Sequence, residues 1–223
     1  MFMRSERLFL RPCWPEDWLE LLTLIDDEGV VRNLASVPWP YTSGDARAFV
    51  ERPPERMLPQ FLVTLPTADG TRLIGSVGLS RDGDDVELGY WIARSYWGQG
   101  YATEAARAVL SQARAIGHRR IVAGHFVDNP ASGQVLRKVG FRPTGERRLR
   151  YSEGRKGVAL AEGYAIAFGE RNDCDCDGGE DAMRAADEAL FARGFGVRLI
   201  PIAEGALAAD YAEEVTGYLV DEA

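Results

Sequence analysis

Residues 96–106, YWGQGYATEAA, decide the fold of this chain. The pattern from Val86 to Ile92 predicts a strand before this segment, and the pattern after it predicts a helix from Thr103 to about Ile116. Glycines between a strand and a helix let main-chain N–H groups approach a phosphate closely, and the helix N-terminus adds its dipole. The segment lacks the Lys-Ser/Thr ending of a Walker A loop. An ordinary strand–turn–helix junction is the alternative for this segment alone.

Strands and helices are predicted on both sides of this loop. Alternating or β-rich patterns predict strands at Arg7–Arg11, Gln60–Leu65, Leu73–Leu79, Ile121–Val127, Glu146–Tyr151 and Ala159–Phe168. Helical spacing predicts a helix around Trp18 to Ile25, a short helix capped by Asp45, and a helix that Pro130 opens and Gly140 ends. Mixed strands and helices around one sheet predict an α+β or α/β fold.

The composition changes after Phe168. Residues 172–181, NDCDCDGGED, are acidic and glycine-rich and predict a linker. The later residues carry periodic apolar side chains that need a partner surface, so we expect them to dock on the domain or on a second copy of the chain. This divides the chain into a domain at 1–168, a linker at 169–181 and a C-terminal extension at 182–223, with helices predicted at 182–193 and 204–220 and a strand at 197–202.

Charge and cysteine usage argue against several classes of protein. The 223 residues carry a formal net charge of −8, so we expect no binding to nucleic acid or to an anionic membrane. Three cysteines give no disulfide framework, and neither a signal sequence nor a membrane-spanning run is evident, so we expect a cytoplasmic protein. Residues 173–178, DCDCDG, match half a calcium loop, but Arg184 replaces the glutamate that such a loop needs, so no metal site is expected.

A second segment points to a known family. It runs from Val127 to Ser132 (VDNPAS) and continues as VLRKVGF to Phe141. Together with ERLFLRP near the N-terminus and ELGYWIARSYWGQGYATEA at the glycine loop, it resembles the GNAT superfamily of N-acetyltransferases. Within that superfamily it is most similar to the branch that acetylates the α-amine of ribosomal proteins, the RimJ/RimL-like enzymes. The resemblance covers about Arg4 to Phe168.

The resemblance implies a fold and a cosubstrate. The fold is an α+β GNAT fold, with a mixed, mostly antiparallel sheet that splays after the fourth strand and helices on both faces. The cosubstrate is acetyl-CoA, with its pantetheine arm along the end of that strand and its pyrophosphate on the glycine loop. Trp97 stands where the family usually has Arg or Gln, which leaves the main-chain cradle intact. The residues implied are Trp91, Ile92, Ala93, Trp97, Gly98, Gln99, Gly100, Tyr101, Ala102, Thr103, Asn129, Ser132 and Lys138.

Acetyl transfer to an amine needs a base for the amine, a donor for the developing oxyanion, and a proton or dipole at the leaving sulfur. Glu87 is the best candidate base, because it precedes the loop on a strand and shares a face with Trp91; a solvated strand glutamate is the alternative. By resemblance, Ser132 is the proton donor to sulfur, because the tyrosine of other branches is replaced by Leu136. His125 is a candidate base or substrate contact, with a structural histidine as the alternative.

The acceptor pocket is harder to predict. Glu162 and Tyr164 are expected to line it, and Trp39 and Tyr41 to form its lip, although each of them also suits simple packing. The sequence thus predicts direct acetyl transfer to a primary amine, with a protein or peptide α-amine as the expected acceptor, by a monomer or homodimer. A small-molecule amine acetyltransferase and a non-catalytic acyl-CoA-binding protein remain alternatives, because fold alone does not determine function.

Overall fold

The structure is a computed structural model that describes residues 1–169 and 198–199. Nine strands form one sheet within these residues: β1 Met3–Arg4, β2 Phe9–Arg11, β3 Gln60–Thr67, β4 Gly70–Asp82, β5 Asp85–Ile92, β6 Arg120–Phe126, β7 Arg142–Ser152, β8 Gly157–Ala167 and β9 Arg198–Leu199. The helices are α1 Trp18–Ile25, α2 Glu28–Val31, α3 Ser43–Val50, α4 Tyr101–Ala115 and α5 Pro130–Lys138. Short 3-10 turns occupy Pro15–Asp17 and Arg94–Tyr96.

The sheet opens between its two parallel strands. The strand order is β7-β8-β6-β5-β4-β3-β2-β1-β9, and every recorded pair is antiparallel except β5 with β6. That pair has a single register match, Glu87 with Val122. Beyond it the C-terminal ends of β5 and β6 diverge. Since β5 is the fourth of the predicted strands, the expected α+β fold with a sheet that splays after this strand is confirmed.

The helices cover both faces of the sheet. Side chains alternate between the faces of a strand, and on β5 Leu88 and Ile92 join the core under α4, whereas Trp91 joins a second core with α1 and α3. Helix α4 supplies a row of small buried residues, such as Ala105 and Val109, to the first core. The divergent ends of β5 and β6 therefore open between two packed layers.

Local chemistry explains two boundaries that differ from the sequence prediction. The predicted N-cap of α3, Asp45, is wrong: Thr42 is the N-cap, and Asp45 completes a capping box by accepting from the Thr42 N–H at 2.9 Å. Strand β7 begins at Arg142, four residues earlier than predicted, because a bulge between Pro143 and Arg147 interrupts the alternation.

Most of the C-terminal extension lies outside the described residues. This applies to the predicted linker and to both predicted helices. Within the predicted strand at 197–202, Arg198 and Leu199 pair antiparallel with Arg4 and Met3 of β1. The docking of the whole extension stays a prediction. Among the described residues, no helix has the length and hydropathy needed to cross a membrane.

Candidate active site

Two cavities meet at the opening between β5 and β6. A cleft of about 770 Å³ lies over the glycine loop and the first turns of α4 and α5, and a smaller cavity of about 220 Å³ lies on the α1–α3 side of the sheet. We call them the cofactor cleft and the acceptor cavity. Five residues line both: Asn33, Leu34, Tyr90, Trp91 and Ser132. A group passed from a ligand in one cavity to a ligand in the other must cross this junction.

The glycine loop has the geometry of an anion cradle. Gly98 and Gly100 have positive φ values of 75° and 82°, which favour glycine. Gly100 is the N-cap of the 15-residue helix α4 and has no side chain to satisfy the first helical N–H groups. A Cβ at Gly98 would meet no atom within 4 Å. The N–H groups at this helix start are therefore available to a phosphate.

Most of the predicted cofactor residues line this cleft. They are Trp91, Ile92, Trp97, Gly98, Gly100, Tyr101, Ala102, Thr103, Asn129, Ser132 and Lys138. Ala93 does not, because its N–H donates to the carbonyl of Ile74 at 2.8 Å and its carbonyl accepts from Tyr96 at 2.9 Å. Gln99 does not either, since its carbonyl accepts from Arg7 at 3.0 Å. Ala93 is thus held in the scaffold, whereas Gln99 is exposed on the loop.

Trp97 closes part of the strand edge that faces the opening. Its Nε1–H donates to the carbonyl of Ile92 at 2.6 Å, while the indole remains 46% exposed over the cleft. The sequence predicted free main-chain groups along the end of β5 for the pantetheine arm. In this structure one acceptor of that edge already has a partner.

The N-terminal segment anchors the glycine loop, and the sequence prediction gave it no such role. Arg7 donates to the carbonyl of Gln99, lies 4.5 Å over the ring of Tyr101, and pairs with Glu104 at 2.8 Å. Glu104 also accepts from the hydroxyl of Ser5 at 2.6 Å. Burial raises the pKa of Glu104, but the hydrogen bonds from Ser5 and Arg7 outweigh it and hold that pKa below its ordinary value.

Helix α5 brings Ser132 to the junction. Asn129 is its N-cap and accepts from the Ser132 N–H at 3.3 Å. The Ser132 Oγ lies 2.8 Å from the hydroxyl oxygen of Tyr90 on β5. Two hydroxyl groups, one from each side of the opening, therefore touch where the two cavities meet.

His125 on β6 packs against the first turn of α5. Its Nδ1 donates to the carbonyl of Phe126 at 2.8 Å, which leaves Nε2 facing the Tyr164 hydroxyl at 3.4 Å and Glu162 at 3.6 Å. A Cβ on Gly133 would come within 2.5 Å of Nε2, so the helix packs directly on the ring. The ring lines the acceptor cavity but is only 7% exposed.

Glu87 and Arg150 form an ion pair in the wall of the acceptor cavity. Both guanidinium NH groups contact the carboxylate, with Nη2 at 2.7 Å from Oε2, and the Glu87 side chain is only 12% exposed. The hydrogen bond that Arg150 donates to this carboxylate raises the pKa of Arg150 above its ordinary value, against the opposing effect of burial. The predicted base is thus present in the cavity, with a partner that the sequence prediction did not contain.

The predicted acceptor residues separate into two groups. Tyr41 lines the acceptor cavity, whereas Trp39 packs half-buried against the core of α1 and α3. Glu162 and Tyr164 line a second pocket, of about 110 Å³, whose wall also includes Glu87 and Arg150. Tyr164 is 1% exposed. Of these four, only Tyr41 lines the acceptor cavity, whereas Glu162 and Tyr164 share the other pocket with Glu87.

The loop after α2, residues 32–37, roofs the junction and is held by the tip of the β7–β8 hairpin. The buried Ser152 hydroxyl donates to the carbonyl of Leu34 at 2.7 Å, and the Glu153 N–H donates to the carbonyl of Ala35 at 2.9 Å. Gly154 packs against Val31 so closely that a Cβ there would lie 2.5 Å from its side chain. The hairpin tip thereby fixes the roof.

Arg155 and Asp128 add ion pairs to these contacts between the hairpin tip and the roof, and we call the whole set the clasp. Arg155 binds both carboxylate oxygens of Asp128 at 2.8 Å, and its Nε donates to the carbonyl of Arg32 at 2.6 Å. Arg32 also reaches Asp128 at 3.0 Å. The hydrogen bond from Arg155 lowers the pKa of Asp128 below its ordinary value. Asp128 lies in the turn before α5, so the clasp joins the roof, the hairpin and the α5 start.

Comparison with known proteins decides the family. Residues 7–142 match the acetyltransferase (GNAT) domain, which is more than half of the chain. The chain belongs to the GNAT acetyltransferase family. This confirms the resemblance stated from the sequence, the enzyme class of acetyl-CoA-dependent N-acetyltransferases, and acetyl-CoA as the cosubstrate of that class.

Two curated relatives are similar to parts of this GNAT chain. YoaA, an uncharacterized N-acetyltransferase of Bacillus subtilis, is 37% identical over 91 residues, which cover 39% of this chain and 51% of YoaA. A ribosomal-protein-serine acetyltransferase of Escherichia coli is 37% identical over 73 residues, 31% of this chain and 41% of that protein. The chain therefore spans about half the length, or less, of these two relatives.

Solved structures agree with the GNAT fold. A GNAT-family acetyltransferase from Bacillus anthracis is 26% identical with a TM-score of 0.62, covering 75% of this chain and 98% of that one. RimL, a ribosomal L7/L12 α-N-protein acetyltransferase in complex with coenzyme A, has the same TM-score and the same coverage at 20% identity. The second likeness shows the fold alone.

Proposed function

We propose that this GNAT chain transfers the acetyl group of acetyl-CoA to a primary amine, with a protein or peptide α-amine as the acceptor. The observation that carries the proposal is the junction of the cofactor cleft with the acceptor cavity at Tyr90, Trp91 and Ser132. A direct transfer needs the donor and acceptor ligands to touch, and two cavities with a shared wall provide that contact.

The cofactor cleft fits acetyl-CoA, which supplies the acetyl group as a reactive thioester. The main-chain N–H groups from Gly98 to Ala102 would hold the pyrophosphate, because α4 starts there behind two glycines of positive φ. Lys138, also in the cleft wall, adds a positive charge. The remaining main-chain groups at the end of β5 would hold the pantetheine arm by strand addition.

In the acceptor cavity we assign the role of base to Glu87. A carboxylate offers about four lone-pair positions, and Arg150 uses two of them, so positions remain for the incoming ammonium group. Glu87 would bind this group and take its proton, and the neutral nitrogen would then attack. Arg150 would keep the carboxylate in place. Ser132 faces the other side of the junction and would donate a hydrogen bond to the leaving sulfur.

The names of two similar proteins support the α-amine acceptor. One is a ribosomal-protein-serine acetyltransferase and the other a ribosomal L7/L12 α-N-protein acetyltransferase. The acceptor cavity, at about 220 Å³, has room for one small terminal residue. The same volume suits a small-molecule amine, which is the second candidate. A non-catalytic acyl-CoA-binding protein is the third.

Turnover tests separate these three functions. The purified chain is incubated with acetyl-CoA and either peptides that begin with Ser, Ala or Met or small amines such as polyamines, amino acids and aminoglycosides, and free CoA thiol is measured. Preference for peptides, with loss of activity when their α-amine is blocked, supports the proposal. Preference for small amines moves the function to the second candidate. Tight acetyl-CoA binding without turnover of any amine contradicts catalysis.

A further inference from the structure

Tyr90 occupies the junction and has no role in the function proposed so far. Its hydroxyl oxygen lies 2.8 Å from Ser132 Oγ and 3.2 Å from the Ser132 carbonyl oxygen. Both residues line the cofactor cleft and the acceptor cavity. Tyr90 comes from β5 and Ser132 from α5, so this pair bridges the opening where the sheet splays. A ligand that reaches the junction from the cofactor cleft meets this pair of hydroxyl groups.

The hydrogen-bond rules restrict how the pair can be arranged. A carbonyl oxygen only accepts, so at 3.2 Å Tyr90 is the donor. When Tyr90 donates to the Ser132 carbonyl, the serine proton is drawn back to the tyrosine oxygen. When Tyr90 donates to Ser132 Oγ instead, the serine proton is free to point into the junction. Tyr90 therefore controls where the serine proton points.

We infer that Tyr90 is a positioning residue that directs the Ser132 hydroxyl proton at the sulfur of acetyl-CoA. The inference rests on the proposed acetyl transfer. In that transfer the acceptor nitrogen bonds to the thioester carbon, the C–S bond breaks with its electron pair going to sulfur, and the proton lost by nitrogen balances the one gained by sulfur. Ser132 stabilises the charge that develops on sulfur, and Tyr90 stabilises the Ser132 oxygen as it donates.

The protonation state of Tyr90 agrees with this role. Burial raises the pKa of its hydroxyl to about 12, and the hydrogen bond with Ser132 offsets part of that effect. A tyrosine with this pKa keeps its proton throughout the neutral range. It therefore keeps a proton to donate to Ser132 throughout that range.

No neighbouring side chain among the described residues takes the place of Tyr90 as the hydrogen-bond partner of Ser132 Oγ. Leu136, at the position of the donor tyrosine in other GNAT branches, is apolar and 1% exposed in the core. The His125 ring has its Nδ1 on the Phe126 carbonyl and its Nε2 facing the Tyr164 hydroxyl, and neither nitrogen has a hydrogen bond to Ser132. Among the described residues, Tyr90 is the side chain recorded within hydrogen-bond distance of Ser132 Oγ.

The test uses three variants of the full chain: Tyr90→Phe, Ser132→Ala and the double variant. Tyr90→Phe removes one oxygen and keeps the ring, and Tyr151→Phe, at an exposed tyrosine on β7, is the matched control. We expect kcat to fall about 10-fold in Tyr90→Phe, the effect of one hydrogen bond, with KM for acetyl-CoA nearly unchanged. The double variant should be no slower than Ser132→Ala, because Tyr90 acts through Ser132.

A binding measurement is independent of the acceptor. The thiol of CoA bound to each variant is titrated by the ultraviolet absorbance of its thiolate. Loss of the Ser132 donor should raise the pKa of the bound thiol, and Tyr90→Phe should raise it in the same direction. If the thiol pKa shifts as expected but neither the wild type nor any variant turns over an amine, the positioning role of Tyr90 is supported and the proposed function is contradicted. Wild-type turnover combined with an unchanged kcat and thiol pKa in Tyr90→Phe would overturn the inference.

Discussion

The cofactor cleft and the acceptor cavity share a wall, but they are made from different parts of the chain. The anion cradle of the cleft is one continuous segment, Trp97 to Thr103, at the start of α4, while α2, β5 and α5 complete the cleft walls. The acceptor cavity collects side chains from α1, the roof loop, β4, β5, β6, β7 and β8. Its main polar pair joins Glu87 to Arg150, which are 63 positions apart in the sequence. Local backbone geometry makes one site, and long-range side-chain pairing makes the other.

This difference predicts which mutations remove the function of the cofactor cleft and which remove that of the acceptor cavity. A backbone cradle tolerates most side-chain changes but not a new side chain at a glycine of positive φ. A side-chain cavity loses its chemistry when a single carboxylate or guanidinium is changed. The four predictions below test this contrast.

Gly100→Glu should have the largest effect. It introduces a side chain and a negative charge at a φ of 82°, beside the N–H groups that would hold the pyrophosphate. We expect acetyl-CoA affinity to fall about 100-fold or more, measured by calorimetry. Gly83→Glu is the control, since Gly83 has a φ of 63° in the β4–β5 turn, outside the cleft. An equal loss of affinity in both variants would mean that general destabilisation, and not the cradle, is responsible.

Glu87→Gln should lower the rate of acetyl transfer about 100-fold at neutral pH, the scale of a lost general base. The rate should partly recover at high pH, where the amine loses its proton without help. Acetyl-CoA affinity should hardly change, because the effect belongs to the acceptor side. Glu55→Gln, at an exposed glutamate, is the control. A wild-type pH–rate profile in Glu87→Gln would assign Glu87 to structure.

Arg7→Met should reduce acetyl-CoA affinity about 10-fold, because the loop carbonyl at Gln99 and the carboxylate of Glu104 both lose their guanidinium partner. Arg4→Met, at an exposed neighbour, should leave the affinity unchanged. Calorimetry at two salt concentrations is the measurement. The result shows whether the main-chain cradle also depends on a side chain, here the guanidinium of Arg7, to keep its shape. An affinity equal to wild type would show that the loop holds its shape alone.

Asp128→Asn should have the smallest effect, a loss of unfolding free energy within about 1 kcal/mol at pH 7, because Asp128 is substantially exposed. Its pKa is lowered in the folded state. The contribution of Asp128 is therefore fully present above the ordinary aspartate pKa of about 3.9 and is lost as the pH falls through the lower folded value. Urea unfolding of wild type and variant should give the same stability difference at pH 7 and 5, and a difference that begins to shrink at pH 3.5.

The contrast also explains what the sequence could predict. The strand, the glycine loop and α4 are contiguous, so their pattern and the family resemblance predicted the fold and the glycine-loop part of the cleft. Arg7 and Glu104 pair across 97 positions and left no local signal. The same holds for Arg150, which belongs to a β7 strand with several arginines that look like a solvated edge in the sequence.

The direction in which strand side chains point was the second feature that the sequence could not predict. Tyr164 and Glu162 were predicted for the acceptor pocket, but the register of β8 turns them toward His125, on the α5 side of the sheet. Ala93 follows β5 directly, and its N–H points to β4 and not to the opening. Strand alternation predicts that neighbours face opposite ways, but it does not say which way until the partner strands are placed.

The roof over the junction couples the affinities of the two ligands. Asn33 and Leu34 belong to the walls of both cavities, and the hairpin tip holds them in one position through Ser152. A ligand that shifts either residue on one side would therefore also change the site on the other side. Thermodynamic linkage makes this effect mutual: if acetyl-CoA tightens acceptor binding by some factor, the acceptor tightens acetyl-CoA binding by the same factor.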